Sequence, residues 1–213
     1  MNSGSKNRIQ DELSFVLHSY PFRETSLVLE VFSREHGRVP LVARGARRPK
    51  SALRGLLMSF QPLALSWFGK NELRTLHSAE WQGGQPQLQG TALMCGLYLN
   101  ELLLNLTARD DPHEQLFDYY RQTLQRLVHE QDHASTLRCF EKHLLQELGY
   151  ALLLEHEAGG NAPIEEGKQY RYILERGAVE DSPQATQGMP IAGKTLLDIA
   201  ADDYTDVNSA RQG

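Results

Sequence analysis

Only two cysteines, Cys95 and Cys139, occur in the 213 residues. Both fall in apolar helical patterns, where a thiol behaves as a small core residue, so a disulfide framework is excluded and a reducing compartment is expected. No stretch approaches the roughly 18 apolar residues of a membrane span, and the opening MNSGSKNRIQDE has no apolar signal core. These absences predict a soluble cytoplasmic chain. Also missing are G-x-x-x-x-G-K-[ST], a G-x-G-x-x-G after a strand, G-x-S-x-G and any cysteine set with metal-ligand spacing. The scattered His18, His36 and His77 and the paired carboxylates Glu165–Glu166 and Asp202–Asp203 sit at strand, turn or loop positions, where solvated roles are expected. No enzymatic activity and no cofactor are expected.

What is present is an uneven charge. The net charge of −5 conceals a basic front, with 12 Lys and Arg against 7 Asp and Glu over residues 1–81, and an acidic remainder of 10 against 20. Such asymmetry points to two surfaces with different partners. The positive charge is concentrated between Arg44 and Arg54, where Arg44, Arg47, Arg48, Lys50 and Arg54 occur without an acidic residue. Gly45 and Pro49 interrupt this run, so it reads as a loop rather than a helix, and a cationic loop suits a polyanion.

Period-two alternation surrounds that loop. Leu13, Phe15 and Leu17, then Leu27, Leu29 and Val31, then Val39, Leu41 and Ala43 predict three half-buried strands, with turns at Pro21–Thr25 and Arg34–Gly37. Leu63, Leu65 and Trp67 predict a fourth strand and Leu73–Ser78 a fifth. Five short strands in about 70 residues fit a small closed barrel, whose interior is filled and whose function lies on its outer face and loops. Lys70 and Arg74 extend the positive surface, and Phe60, Trp67 and Phe68 are candidates either for base stacking or for the barrel core.

Residues 82–90, rich in Gly, Gln and Pro, read as a linker or strap between a barrel domain over 1–81 and a mainly helical domain over 91–213. Thr91–Leu106 is apolar all round and predicts a buried helical spine. Asp111, Pro112 and Glu114 predict the start of a second helix, with a stripe of Leu116, Tyr120, Leu124 and Leu127. A third is predicted from Ser135 to a left-handed Gly149, with all three helices packed on the spine. A short strand at Gln169–Leu174 and a two-turn helix at Gly193–Ala200 are expected further on. The acidic end DDYTDVNSARQG is expected to be frayed.

His129-Glu130-Gln131-Asp132-His133 matches H-E-x-x-H, the zinc protease pattern. That chemistry needs both histidines on one buried helix. Here the second apolar stripe stops at Val128 and the third begins near Ser135, so a solvated inter-helix connection is expected.

The segments FVLHSYPFRETSLVLEVFSREHGRVPLVARGARRPKSALRGLL, LMSFQPLALSWFGKNELRTLHSAE and GLYLNELLLNL strongly resemble the bacterial recombination mediator family RecO. The resemblance covers about Leu13 to Tyr150 and continues loosely to Ala200, carried by R-E-T-S at Arg23–Ser26, V-A-R-G-A-R at Val42–Arg47, S-A-E at Ser78–Glu80 and Y-L-N-E-L at Tyr98–Leu102. It implies an α+β chain, with an N-terminal five-stranded OB-fold barrel followed by a mainly α-helical domain. It further implies a non-enzymatic, nucleoid-associated role in DNA recombination and repair. That role comprises binding single- and double-stranded DNA, annealing complementary strands, and helping RecA load, together with RecR, onto DNA coated by single-stranded DNA-binding protein. By position, Arg38, Arg44, Arg47, Arg48, Lys50 and Arg54 are its DNA-contacting residues, and Arg138 matches an arginine implicated in receiving the acidic, Phe-terminated tail of single-stranded DNA-binding protein. The four-cysteine zinc module of many relatives is missing at His156–Asn161, so no structural metal is expected. Relatives usually continue with further basic helical sequence beyond the position of Gly213. A scaffold whose basic loop contacts an acidic protein partner is the alternative reading.

Overall fold

The structure, a computed structural model, describes residues 8–150, 152–160, 162–182, 187–206 and 209. It divides into two compact units, Met1–Gln131 and Asp132–Gly213.

In the first unit, β1 (Arg8–Phe22), β2 (Ser26–Ser33), β3 (Gly37–Ala43), β4 (Leu63–Phe68) and β5 (Arg74–Trp81) close into a barrel of order β1-β2-β3-β5-β4. Closure depends on the length of β1. Register shifts between Ile9 and Glu12 and between Val16 and His18 bend it, so that its first half pairs with β4 and its second half with β2. The last seam is a short parallel pairing, Leu41 with Arg74 and Val42 with Thr75. The alternation read from sequence places Leu29, Val31, Val39, Leu41, Leu63, Leu65 and Trp67 inside. Trp67 is therefore core, and the buried Phe60 packs beneath α1, where a Cβ on Gly96 would meet its ring at 3.0 Å. In β1 the inward residue is Val16 rather than the expected set Leu13, Phe15 and Leu17: Phe15 packs against Phe117 and Tyr120, and the register shift between Val16 and His18 breaks the alternation.

One end of the barrel's outer face is covered by α1 (Gly90–Leu106) and α2 (Glu114–His129), which belong to the same unit. Phe15 and Phe32 from the strands lie 5.5 Å, centroid to centroid, from Phe117, and Phe15 meets Tyr120 edge-on at 5.2 Å. Asn100 joins three elements: its amide donates to the Leu17 carbonyl at 2.8 Å, and its oxygen accepts from the Tyr120 hydroxyl at 2.6 Å. The segment 82–90 runs as a strap in this unit, with Leu88 buried and Gln85 donating to the Leu124 carbonyl.

The helices differ from expectation in three respects. α2 starts at Glu114 with His113 as its cap, because Asp111 is held against the β2–β3 turn. α1 is not buried all round: Leu93, Met94, Leu97 and Tyr98 are exposed, whereas Cys95, Leu99, Asn100 and Leu103 face inward. The third helix, α3 (His133–Glu147), is assigned to the second unit rather than to a bundle with α1 and α2.

A close approach fixes the α1–α2 connection. Gly37 has φ 64°, and a Cβ there would lie 2.0 Å from the Asp111 carbonyl oxygen. Alongside it, the Asp110 amide donates to the Arg38 carbonyl at 3.0 Å. Gly37→Ala combines a left-handed backbone with a backbone collision, and its expected cost is about 3 kcal/mol, read as a lowered denaturant midpoint.

The second unit is built on α3, a sheet ordered β7 (Gly177–Glu180), β6 (Gln169–Ile173), β8 (Met189–Ala192), and α4 (Gly193–Ala200). β6 and α4 fall where the sequence places them; β7 and β8 are too short and irregular to announce themselves. Gly149 takes the expected positive φ, 85°. Lys142 is buried and caps the end of α4, donating to the Ile199 and Ala200 carbonyls at 2.9 and 3.1 Å. Much of the acidic end, including 207, 208 and 210–213, lies outside the described residues.

Candidate nucleic-acid interface

The basic loop leaves β3 at Ala43 and returns to the barrel at Leu63, with a single 3-10 turn at Ala52–Gly55. It is folded rather than trailing. The Arg47 amide donates to the Thr25 carbonyl at 2.9 Å, and its guanidinium reaches the Arg23 and Glu24 carbonyls at 3.4 Å. These bonds tie the loop to the β1–β2 turn. The Gly45 φ of 69° lets the chain reverse, closed by the Arg48 amide on the Gly45 carbonyl.

Between loop, turn and the start of β5 lies an open groove of about 820 Å³, lined by Phe22, Arg23, Glu24, Thr25, Ser26, Val42, Arg44, Gly45, Arg48, Leu73 and Thr75. Arg44 and Arg48 border it directly, and the Arg23 guanidinium lies 5.2 Å above the Phe22 ring. Arg44, Arg47, Arg48, Lys50 and Arg54 are exposed, and among the described residues none has a carboxylate partner. Unpaired guanidinium groups on a groove wall offer bidentate donors to phosphate oxygens.

The remaining sequence candidates separate from this group. Arg38 is tied up internally, its guanidinium bonded to the buried Glu30 at 3.3 Å and to the Thr107 carbonyl at 2.9 Å. Glu30 also takes the Arg109 guanidinium at 2.5 Å, and this ion pair holds the arginine's pKa above its usual value. Arg74 pairs with Asp110 at 2.6 Å; with Lys70 it borders a second, smaller pocket of about 320 Å³. Lys70 itself is exposed. Sequence reading overlooked Arg23, Glu30 and Arg109. A lone glutamate inside the apolar strand Leu27–Phe32 was the available signal that a buried cationic partner was needed.

Arg138 lies in the second unit, on a groove of about 270 Å³ whose floor is apolar, formed by Leu145, Leu152, Leu154, Tyr172, Ile191 and Leu196 among others. Its guanidinium bonds Glu141 at 2.6 Å. The H-E-x-x-H letters do not share a helix: His129 is the last residue of α2, Glu130 is extended, and His133 is the first residue of α3. Asp132 caps α3 by accepting from the Ser135 amide at 3.1 Å.

Among the described residues, Glu12, Glu35 and His36 bring three ligand-type atoms within 4.8 Å of one another. The Glu12 carboxylate is already engaged, accepting the Glu35 amide at 2.6 Å to hold the β2–β3 turn. Burial pushes its pKa up, against the pull of that hydrogen bond. A raised folded pKa means that the native state favours the proton, so stability from this group is present at low pH and is lost as pH rises through that value. Glu12→Gln keeps an acceptor and removes the buried charge. The variant's unfolding temperature is therefore expected to exceed that of the parent at neutral pH, with the gain shrinking as the solution is acidified.

The barrel order and the placement of its loops define an OB-fold protein with a helix-containing C-terminal unit. Residues 11–84 match the family model described as Recombination protein O N terminal, and 87–204 match Recombination protein O C terminal. The chain is 54% identical over 200 residues to the DNA repair protein RecO of Nitrosospira multiformis, covering 93% of this chain and 83% of that protein. It is 54% identical to that of Thiobacillus denitrificans, covering 96% and 82%, and 52% identical to that of Dechloromonas aromatica, covering 94% and 84%. The chain belongs to the RecO family of DNA repair proteins.

Proposed function

We propose that this chain is a non-enzymatic recombination mediator that binds single- and double-stranded DNA through the barrel groove and anneals complementary strands. The observation that carries the reading is the set of five exposed cations from Arg44 to Arg54, unpaired with carboxylates among the described residues, of which Arg44 and Arg48 border a groove on the OB-fold. Family membership supports the wider role: helping RecA load onto DNA coated by single-stranded DNA-binding protein, in company with RecR, in the cytoplasm and at the nucleoid. Among the described residues no helix is long and apolar enough to cross a membrane.

In the second unit, the apolar groove with Arg138 at its margin suits an acidic peptide that ends in an aromatic residue, the chemistry of the single-stranded DNA-binding protein tail. Lys142 contributes there by holding α4 in place, since its ammonium is committed to that helix's carbonyls. Mediation then amounts to juxtaposition: one unit holds strands while the other docks the protein that coats them.

The test is the salt dependence of single-strand affinity. If five phosphates are neutralised, the log-log slope is about −3.5. A slope near zero overturns the reading.

A further inference from the structure

The groove has a continuation across the sheet that its charges do not explain. Cross-strand register places Tyr20 beside Val28, Val28 beside Val42, Val42 beside Thr75, and Thr75 beside Phe68. The chain neighbours of the last four, Leu29, Leu41, Leu76 and Trp67, point into the core, so those side chains lie on the outside of the barrel, and the exposed Tyr20 joins their row through its pairing with Val28. The row crosses all five strands over an arc of about 19 Å, four strand spacings. α1 and α2 cover Phe15 and Phe32 at the other end and leave this row open: Tyr20 is 47% and Phe68 45% exposed.

Val42 and Thr75, in the middle of the row, are also walls of the cationic groove. An exposed aromatic therefore stands at each end of a path whose centre is bordered by Arg44 and Arg48. Each has a second ring beside it, His18 at 4.3 Å from Tyr20 and His77 at 6.3 Å from Phe68. Scattered exposed aromatics need no explanation, but two at the ends of one row through a cationic groove do. Any nucleic acid presents phosphates to the arginines; only an unpaired strand can also present base faces to the rings.

We infer that this row is a base-stacking platform that selects single-stranded over double-stranded DNA, with Tyr20 and Phe68 receiving bases and Arg44 and Arg48 holding the phosphates between them. The strand runs across the β-strands rather than along them. This rests on the reading of the groove as a DNA site and adds a source of strand preference that charge does not supply. Trp67 and Phe60 take no part, being buried.

The experiment compares the full chain with Tyr20→Ala, Phe68→Ala and Phe68→Trp, using fluorescence anisotropy on a thymidine oligonucleotide, a duplex and an abasic strand of equal length. Each alanine variant is expected to bind the thymidine strand about ten-fold more weakly. Duplex affinity, abasic-strand affinity and the salt slope stay at the parent's values, and Phe68→Trp restores thymidine binding. Equal losses on single strand and duplex, or unchanged thymidine binding, overturn the inference. If the parent binds with the steep slope and the alanine variants match it, only the stacking falls. A parent that binds none of the three strands brings down the DNA-site reading and the stacking with it.

Discussion

Replacing Arg44, Arg47 and Arg48 together by glutamate is expected to lower single-strand affinity by at least about 100-fold at about 0.1 M salt, and to flatten the salt slope to about −1.4. Each phosphate contact on a single strand contributes about 0.7 to the slope, so each is worth about five-fold a decade below molar salt. Three contacts compound to about 100-fold, and the reversed charges add repulsion. Because these side chains are exposed and have no carboxylate partner among the described residues, the unfolding temperature should hold nearly constant. The Arg47 guanidinium forfeits only two long bonds to carbonyls, at 3.4 Å. Affinity that survives the triple change removes the loop from the DNA surface. Unfolding of the variant would instead show that the loop's bonds to the β1–β2 turn sustain the barrel.

Asn100→Leu is expected to cost about 2–4 kcal/mol in stability while leaving the groove charges untouched, a result measured by chemical denaturation. Leucine keeps the branching and the number of side-chain heavy atoms, although it is bulkier, and supplies neither the donor that reaches Leu17 nor the acceptor for the Tyr120 hydroxyl. Both bonds are buried, where a polar group cut off from its partner loses more than the bond's net worth. Burial also pushes the Tyr120 pKa up, which favours the protonated hydroxyl that donates to Asn100. Tyr120→Phe should therefore cost less in the Asn100→Leu background than in the parent, because the bond is already gone; equal costs in both backgrounds would show the two residues to be uncoupled.

The strands were legible because each half-buried strand writes its pattern locally: Leu29, Val31, Leu41, Leu63 and Leu65 all point inward as alternation requires. The cationic loop was legible for the same reason, since Gly45, Pro49 and five positive charges lie within eleven residues. Arg38 was not. Its charge looks like part of that run, yet the residues that engage it, Glu30 and Thr107, are brought to it by a strand pairing and by the return of the chain after α1. The same limit applies to α1, whose apolar residues read as a buried spine although one face remains exposed. Asn100 sits within the Y-L-N-E-L motif that carried the family resemblance, but its reason for being there, a bond to β1 from 83 positions away, exists only in the fold. Tyr20 and Phe68 lie on different strands of the chain, and only the register sets them on one row.

The aromatic layer beneath α2 also sets the size of the cooperative unit. Phe15 and Phe32 are buried to within 1% by rings from α2, so a fragment that ended at Trp81 would expose two phenylalanines on a sheet face. Loss of α2 uncovers that face, so the amide protons of β1 and β2 beneath it are expected to exchange faster when the helix opens. The groove is thus held in shape from the other end of β1 and β2, and a ligand that stiffens it would be felt as slower exchange in α2, which does not line it.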